Sequence, residues 1–306
     1  MKTDLRVQIT AVIPVRSMAG RLENLKQTLR SCAGLPLQVV IVHDDAGDGT
    51  ETDLNDLLDG LYKVNVEKFN VQYASPGLAR NLGIRRAEAE WICFWDCDDL
   101  PNPSAYISLL NSINSKEFDV LIGSIATQSG VDTSTRKLHP TLVVNKSIQM
   151  QLANMPAFTR MIFRKSLIEN HVFPSFKIGE DQCFLREIEF FNSRVHFSKD
   201  LLYTYISDYD GQLSRDQSLK VEIISSLEFL ADALWSSPTR MQVFCQTQFI
   251  KIFVSSCRSL GVVRFVGLTP KSLKAMLKLT AKNPIGVLRV FYFLAKSRPR
   301  LAGRDS

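Results

Sequence analysis

Trp91-Ile92-Cys93-Phe94-Trp95-Asp96-Cys97-Asp98-Asp99 is the stretch on which the fold of this chain turns. Its first five residues are apolar without a polar break, and its last four hold three carboxylates. A short continuous apolar run bounded by a turn reads as a buried strand. Pro101 and Pro103 end it, because proline fixes its own φ and disfavours a helical residue before it. Unpaired carboxylates are costly to bury, so the acids are expected at the strand's carboxyl end, facing a cleft where something positive meets them. Open α/β sheets bind ligands at that end. Oxygen-only ligands there suit a hard cation, Mg²⁺ or Mn²⁺, and such an ion commonly carries a phosphate.

Working upstream, the same strand, loop, helix unit recurs. Gln8 to Val15 is a β-branched run stopped by Arg16-Ser17-Met18-Ala19-Gly20, after which Leu22, Leu25 and Leu29 fall at helical spacing. Leu37 to Val42 leads through His43-Asp44-Asp45-Ala46-Gly47-Asp48-Gly49-Thr50 to Leu54, Leu57, Leu58 and Leu61. A weaker strand, Phe69 to Ala74, precedes Ser75-Pro76-Gly77 and a helix opening at Leu78, and another helix is expected from Ser104 to Ile113. Strands alternating with helices over about a hundred residues predict a mostly parallel α/β sheet.

Downstream the alternation fades. Asp119 to Gly123 reads as a strand, Thr127 to Pro140 as a loop or hairpin, and Thr141 to Val144 and Phe158 to Phe163 as antiparallel strands at the sheet's far side. Lys177-Ile178-Gly179-Glu180-Asp181 precedes a helix bearing Phe184, Leu185, Ile188 and Phe191, and Val195 to Ile206 returns as strand. From Asp216 onward the pattern is helical. The expected division is a sheet domain over residues 1–212 and a basic helical C-terminal region over 213–306.

With 306 residues, 45% hydrophobic and 22% charged, the chain is neither disordered nor fibrous. Its formal net charge of +6 is unevenly spread: from Arg264 onward, ten Lys or Arg stand against one Asp. That excess points to an anionic partner. Lys271, Lys274, Lys278 and Lys282 recur on one side of a predicted helix, and a second helix is expected over Ile285 to Lys296. Such a tail can lie on an anionic membrane surface, or pack onto the rest of the protein or a second subunit. The six cysteines show no paired spacing and read as reduced, mostly buried thiols. No signal-peptide core and no apolar stretch of roughly 18 residues is present. A cytoplasmic protein, at most peripheral at the inner face of the plasma membrane, is expected.

Two acid pairs follow strands at equivalent positions, Asp44-Asp45 and Asp96-Cys97-Asp98, so both are expected at one crevice. Asp45 could equally be a turn residue bonding its own backbone. Arg80 is a candidate to neutralise a phosphate at that edge, since its fork of donors suits planar anions. Glu180-Asp181 could be helix N-terminal acids favoured by the dipole or catalytic carboxylates.

Ile13-Pro14-Val15, Asp44-Asp45, Gly77-x-x-Arg80-Asn81-x-Gly83, Asp96-x-Asp98-Asp99 and Glu180-Asp181, taken in order, resemble an inverting family-two glycosyltransferase of GT-A fold, of the type that builds bacterial capsule and lipopolysaccharide. The resemblance covers about Gln8 to Gly211 and leaves the helical tail unexplained. It implies a Rossmann-like nucleotide-diphospho-sugar transferase sheet and a nucleotide-sugar donor, most simply a UDP-sugar. It also implies that Pro14, Val15 and Arg16 line the base and ribose, with Asp45 accepting from the base. Arg80 would lie against base or phosphates. Asp96 would serve the ribose or the metal's waters, Asp98 would ligate Mn²⁺ or Mg²⁺, and Asp181 would be the general base with Glu180 beside it. The acceptor would be a glycan or lipid-linked hydroxyl. Arg215 is placed by the resemblance near a phosphate. The second-strand motif departs from the family's pattern by one residue, so Asp48 and Thr50 are not carried over.

A nucleotidyltransferase would share the acidic edge but would carry a Gly-rich loop with a nearby Lys after the first strand, which Arg16 to Arg21 lacks. An inactive scaffold acting through its basic tail would not need the acidic crevice. No aromatic and basic interleaving marks a nucleic-acid groove, so no nucleic-acid partner is expected.

Overall fold

The structure, a computed structural model, describes residues 6–17, 22–129, 136–139, 157–207, 222–236, 239–260, 265 and 269–288. Strand β1 (Ile9–Val15) lies between β2 (Leu37–Asp44) and β4 (Trp91–Phe94) and is parallel to both, and β3 (Asn65–Val71) pairs in parallel with β2. The connecting helices are α1 (Leu22–Ser31), α2 (Thr50–Asp59) and α3 (Pro76–Arg86). Beyond β4 come the short β5 (Leu100–Pro101), α4 (Pro103–Ser112), the long β6 (Val120–Ser129) and β7 (Arg136–His139), which folds back on β6 as a hairpin arm. Then follow β8 (Met161–Arg164), the one-turn α5 (Lys165–Ile168), α6 (Glu180–Glu187) and β9 (Val195–Ser207). The C-terminal helices are α7 (Ile223–Ser236), α8 (Thr239–Leu260) and α9 (Pro270–Lys282). The strands join in the order β3-β2-β1-β4-β8-β6-β9-β5, with β7 on β6.

The opening stretch is unbroken and apolar because both its faces are buried. Ile92 and Phe94 point into a core shared with α6, α7 and α8, whereas Trp91, Cys93 and Trp95 point into the opposite core beneath α1, α2 and α4. Full burial of one such side chain contributes on the order of 1.5–3 kcal/mol. The first core runs without interruption from Val12 and Phe94 to Leu234 and Phe249, so the C-terminal helices share packing with the sheet.

Two expectations change. Phe158 to Phe163 is a 3₁₀ turn (Phe158–Arg160) followed by β8, and β8 sits in mid-sheet, antiparallel between β4 and β6, rather than at the far side. Met161, Ile162 and Phe163 are each no more than 1% exposed, which only a central position allows. The third strand begins earlier than Phe69, at Asn65, because the partly polar run pairs along β2 from Gln38. Thr141 to Val144, Arg215, the expected boundary at 212 and most of the second tail helix lie outside the described residues.

Helix α3 lacks an apolar stripe and is held by its motif residues instead. Ser75 caps it by accepting from the Leu78 amide at 3.3 Å, with Pro76 at the first position. A Cβ on Gly83 would fall 2.2 Å from a Val12 methyl, and one on Gly77 2.3 Å from the Pro174 carbonyl. Both glycines are therefore demanded by close approach, of β1 on one side and of the 173–174 segment on the other.

Candidate active site

The parallel register brings Pro14, Val15, Arg16, Asp44, Asp45 and Asp96 to one edge of the sheet. Val15 is buried in the core, so its backbone rather than its side chain faces that edge. Arg16 is half exposed and donates to Asp44 at 3.0 Å. Asp44 is 4% exposed and accepts the amides of Tyr73, Ala74 and Ser75 at 2.7, 2.9 and 3.1 Å. The loop after β3, with Ala74 in left-handed conformation, is thus wrapped around this carboxylate. Asp44 is a structural anchor, not a second acid of an open pair.

Asp45 accepts from the Gly47 amide at 2.8 Å, the turn role expected of an Asp at a strand end. A carboxylate has two oxygens, so this turn is compatible with a base contact. Asp48, in the turn before α2, accepts from the Thr50 amide at 3.1 Å. His43 is fully buried in β2.

The acidic cluster divides three ways. Asp96 is about one-third exposed and Asp98 half-buried, so both reach the crevice. Asp99 is 2% exposed and turns inward, accepting from Tyr203 Oη at 2.7 Å and from the Ile206 amide at 2.8 Å. Burial first, then the Asp96 and Asp98 charges, push its carboxyl well above the usual range. The same Tyr203 hydroxyl accepts from the Asp96 amide at 3.1 Å, so β9 fixes the start of the acidic turn. Cys97 packs in the core, as expected of an inert thiol.

The positive partner is Arg80, but it is not open to solvent. Its side chain is 5% exposed, lies over the rings of Phe158 and Phe173 with centroids at 4.9 and 5.7 Å, and donates to Asp96 at 2.8 Å and to Glu180 at 2.5 Å. Asn81, one residue on, accepts the Phe173 amide at 2.8 Å and donates to the Phe173 carbonyl at 2.9 Å. One helix face therefore holds the acidic cluster, the 173–174 segment and the start of α6 in a fixed relation. The sequence marked these residues as a motif; only the fold shows what each touches.

Helix α6 begins after Gly179, whose φ of +82° is left-handed, and carries Glu180 and Asp181 in its first turn. Glu180 is buried and its carboxyl is raised to about 7, burial outweighing the opposing Arg80 charge. Asp181 is half-buried, and its carboxyl is also raised by burial, against the lowering effect of Arg80. Among the described residues no group of three or more His, Cys, Asp or Glu could hold a metal by itself. A two-carboxylate edge still fits Mg²⁺ or Mn²⁺, which are commonly held by one or two carboxylates plus phosphates and water.

A helix-covered sheet that is mixed rather than mostly parallel, with β3-β2-β1-β4 parallel and β8, β7 and β5 antiparallel to their neighbours, with acids at its carboxyl edge tied by a buried arginine to an acid pair at a helix N-terminus, defines a GT-A type of nucleotide-sugar transferase. The chain belongs to glycosyl transferase family 2, whose model matches residues 10–182, and it is a glycosyltransferase. It is 24% identical over 251 residues to the poly(ribitol-phosphate) beta-N-acetylglucosaminyltransferase TarP of Staphylococcus aureus, covering 76% of this chain and 73% of TarP. It is 24% identical to a poly(ribitol-phosphate) beta-glucosyltransferase of Bacillus spizizenii, over 67% of this chain but only 33% of that protein. Among solved structures, S. aureus TarS 1-349 in complex with UDP-GlcNAc superposes with a TM-score of 0.56 at 19% identity, covering 96% of this chain and 93% of that one. The mannosyltransferase PcManGT of Pyrobaculum calidifontis, in complex with GDP-Man and Mn²⁺, gives 0.58 at 14% identity, covering 95% and 80%.

Proposed function

We propose that this glycosyltransferase is inverting and metal-dependent. In this proposal it moves a sugar, N-acetylglucosamine or glucose in the first instance, from a UDP-sugar to a hydroxyl of a phosphate-containing surface glycan. The observation that carries the proposal is the Arg80 bridge, which links the donor-side Asp96 to Glu180, the neighbour of Asp181. The relatives' names, which specify poly(ribitol-phosphate) acceptors and N-acetylglucosaminyl or glucosyl transfer, support the donor and acceptor classes.

Pro14, the Val15 backbone, Arg16 and Asp45 would bind the base and ribose. Asp98 and Asp96 would hold Mn²⁺ or Mg²⁺, which when bound supplies charge neutralisation on the departing diphosphate. Arg80, already committed to two carboxylates, serves by fixing Asp96 rather than by meeting the phosphates directly. Asp181 accepts the proton of the acceptor hydroxyl as its oxygen bonds to the anomeric carbon. The bond from that carbon to the diphosphate oxygen breaks and UDP leaves with the electron pair. A single displacement of this kind inverts the anomeric centre, as one base-activated attack does in glycoside hydrolysis.

The division into a catalytic region, 1–212, and a helical region, 213–306, is kept as part of the proposal, with the helices completing the acceptor side. Among the described residues no helix is long and apolar enough to cross a membrane. Helix α9 buries Ser272, Met276 and Leu279, so one face packs internally. Leu277 of α9 and Ile285 and Leu288 beyond its end are exposed, which suits contact with an anionic membrane surface carrying a lipid-linked acceptor. Turnover of UDP-GlcNAc, UDP-glucose and GDP-mannose with Mn²⁺, read as nucleotide release, tests the donor: UDP release from a UDP-sugar is expected, and release from none of the three overturns it.

A further inference from the structure

The family match ends at residue 182, yet the acidic turn that carries Asp96 and Asp98 is bound from β9, which lies beyond that limit. The main contact is Tyr203, 1% exposed in the core beneath α1, α2 and α4. Its hydroxyl is used twice: it accepts from the Asp96 amide at 3.1 Å and donates to Asp99 Oδ2 at 2.7 Å. Asp99 Oδ1 in turn accepts from the Ile206 amide at 2.8 Å. The far end of the turn is held to the same strand, because Leu100 and Pro101 pair with Thr204 and Tyr203, and the Asn102 amide donates to the Leu202 carbonyl at 2.8 Å. From Asp96 to Asn102 the chain is thus fastened to β9 at both ends and through Asp99.

The strand is itself fixed at this level. Its register against β6 shifts between Ile122 and Ile125, and Leu202 lies so close that a Cβ on Gly123 would fall 2.2 Å from Leu202 Cγ. A bulge of this kind re-aims a side chain, and the residue after Leu202 is the tyrosine that reaches the turn. A buried carboxylate or hydroxyl without a partner is costly. A tyrosine hydroxyl can donate once and still accept, so one group satisfies the buried Asp99 and orders the Asp96 backbone. Asp96 is then placed from two directions, its amide by Tyr203 and its carboxylate by Arg80 at 2.8 Å.

We propose that Tyr203 is a positioning residue of the donor site. With Asp99 as its buried anchor, it sets the geometry in which the Asp96 and Asp98 carboxylates hold the divalent cation; this rests on those two acids being the metal's ligands. The third acid of Asp96-x-Asp98-Asp99 then acts without touching the ion, and β9 belongs to donor binding although it lies outside the family match. Groups that orient a metal's ligands in this way govern its affinity from outside the coordination sphere.

The test is calorimetry of UDP binding, with and without Mn²⁺, to full-length wild type, Tyr203→Phe and Tyr106→Phe. Tyr106 is the control, since it is as fully buried in the same core and its hydroxyl donates to the Thr159 carbonyl, outside the turn. Tyr203→Phe should weaken Mn²⁺-supported UDP binding by about 10-fold and leave metal-free binding unchanged, with Tyr106→Phe behaving as wild type in both. An equal loss in Tyr106→Phe, which a general weakening of the core would cause, overturns the proposal. A wild type whose UDP affinity ignores Mn²⁺ overturns the metal reading and this proposal with it, whereas a response in wild type that Tyr203→Phe keeps in full overturns this proposal alone. Amide hydrogen exchange reads the clamp without metal. The Asp96 amide should exchange faster in Tyr203→Phe, while the Trp95 amide, bonded to the Val12 carbonyl at 3.0 Å, should not; an Asp96 amide as protected as in wild type overturns the proposal.

Discussion

Arg80 and Glu180, one hundred residues apart in sequence, meet as a buried ion pair at 2.5 Å, and the other arm of the same guanidinium holds Asp96 at 2.8 Å. Both carboxylates therefore depend on one cation. Burying charge in this way is justified only when every partner is present, since removing one member of a buried pair costs about 3–5 kcal/mol. Arg80→Met should lower unfolding stability by that amount in urea titration. Arg80→Lys should recover only part of it, because an ammonium cannot fork between two carboxylates. Full stability in Arg80→Met would show the bridge to be incidental.

Asn81 offers a separable test of the same helix. Its side chain satisfies both backbone groups of the buried Phe173, and an unsatisfied buried group costs about 1–3 kcal/mol. Asn81→Ala should destabilise by about 2–4 kcal/mol while leaving the donor-side acids in place, so KM for the donor measured well below the melting range should stay within a few-fold. A loss below about 0.5 kcal/mol would mean that water replaces the amide.

Asp98 is proposed as a metal ligand together with Asp96 because both carboxylates reach the crevice, whereas Asp99 is turned inward. Asp98→Asn should remove the enhancement of UDP binding by Mn²⁺ in calorimetry and leave metal-free UDP binding unchanged. An equal Mn²⁺ effect in the variant would place the ion elsewhere.

The outer face of α9 can be tested with vesicles. Lys271 pairs with Asp232 at 2.6 Å, and the Lys278 and Lys282 ammoniums both lie 4.7 Å from the Trp235 ring centroid, so these lysines also have internal roles. Each basic residue near an anionic surface contributes about 1 kcal/mol. Lys274→Gln with Lys278→Gln should weaken flotation on phosphatidylserine vesicles roughly 30-fold, with little change on neutral ones. Equal flotation of wild type on anionic and neutral vesicles would remove the membrane partner.

Much of this site was legible because its parts are local. The strand Trp91 to Phe94, the proline stop and the acids behind it announce a buried strand ending at a ligand edge, and the Gly77 to Gly83 spacing announces a helix pressed against its neighbours. Less legible was what each acid does. Asp44, Asp45, Asp96, Asp98 and Asp99 look alike in sequence, yet Asp44 folds a loop around itself and Asp99 bonds Tyr203 and Ile206. Those partners lie 31, 104 and 107 residues away for Ser75, Tyr203 and Ile206 respectively, beyond the reach of any local pattern. Arg80 was expected at the base or phosphates because its fork of donors suits planar anions; the two carboxylates that take up that fork come from 16 and 100 residues further on.

The central claim is that Asp181 is the base, and the pH dependence of Asp181→Asn tests it most directly. Burial raises the Asp181 carboxyl above its ordinary value. The wild-type rate of UDP release should therefore rise with pH along a limb displaced upward from that of an ordinary Asp, as the group loses its proton. Asp181→Asn should lower kcat by about 10²–10⁴ and abolish that limb while binding UDP as tightly as wild type. A variant that turns over near the wild-type rate, or keeps the same acid limb, would contradict the assignment.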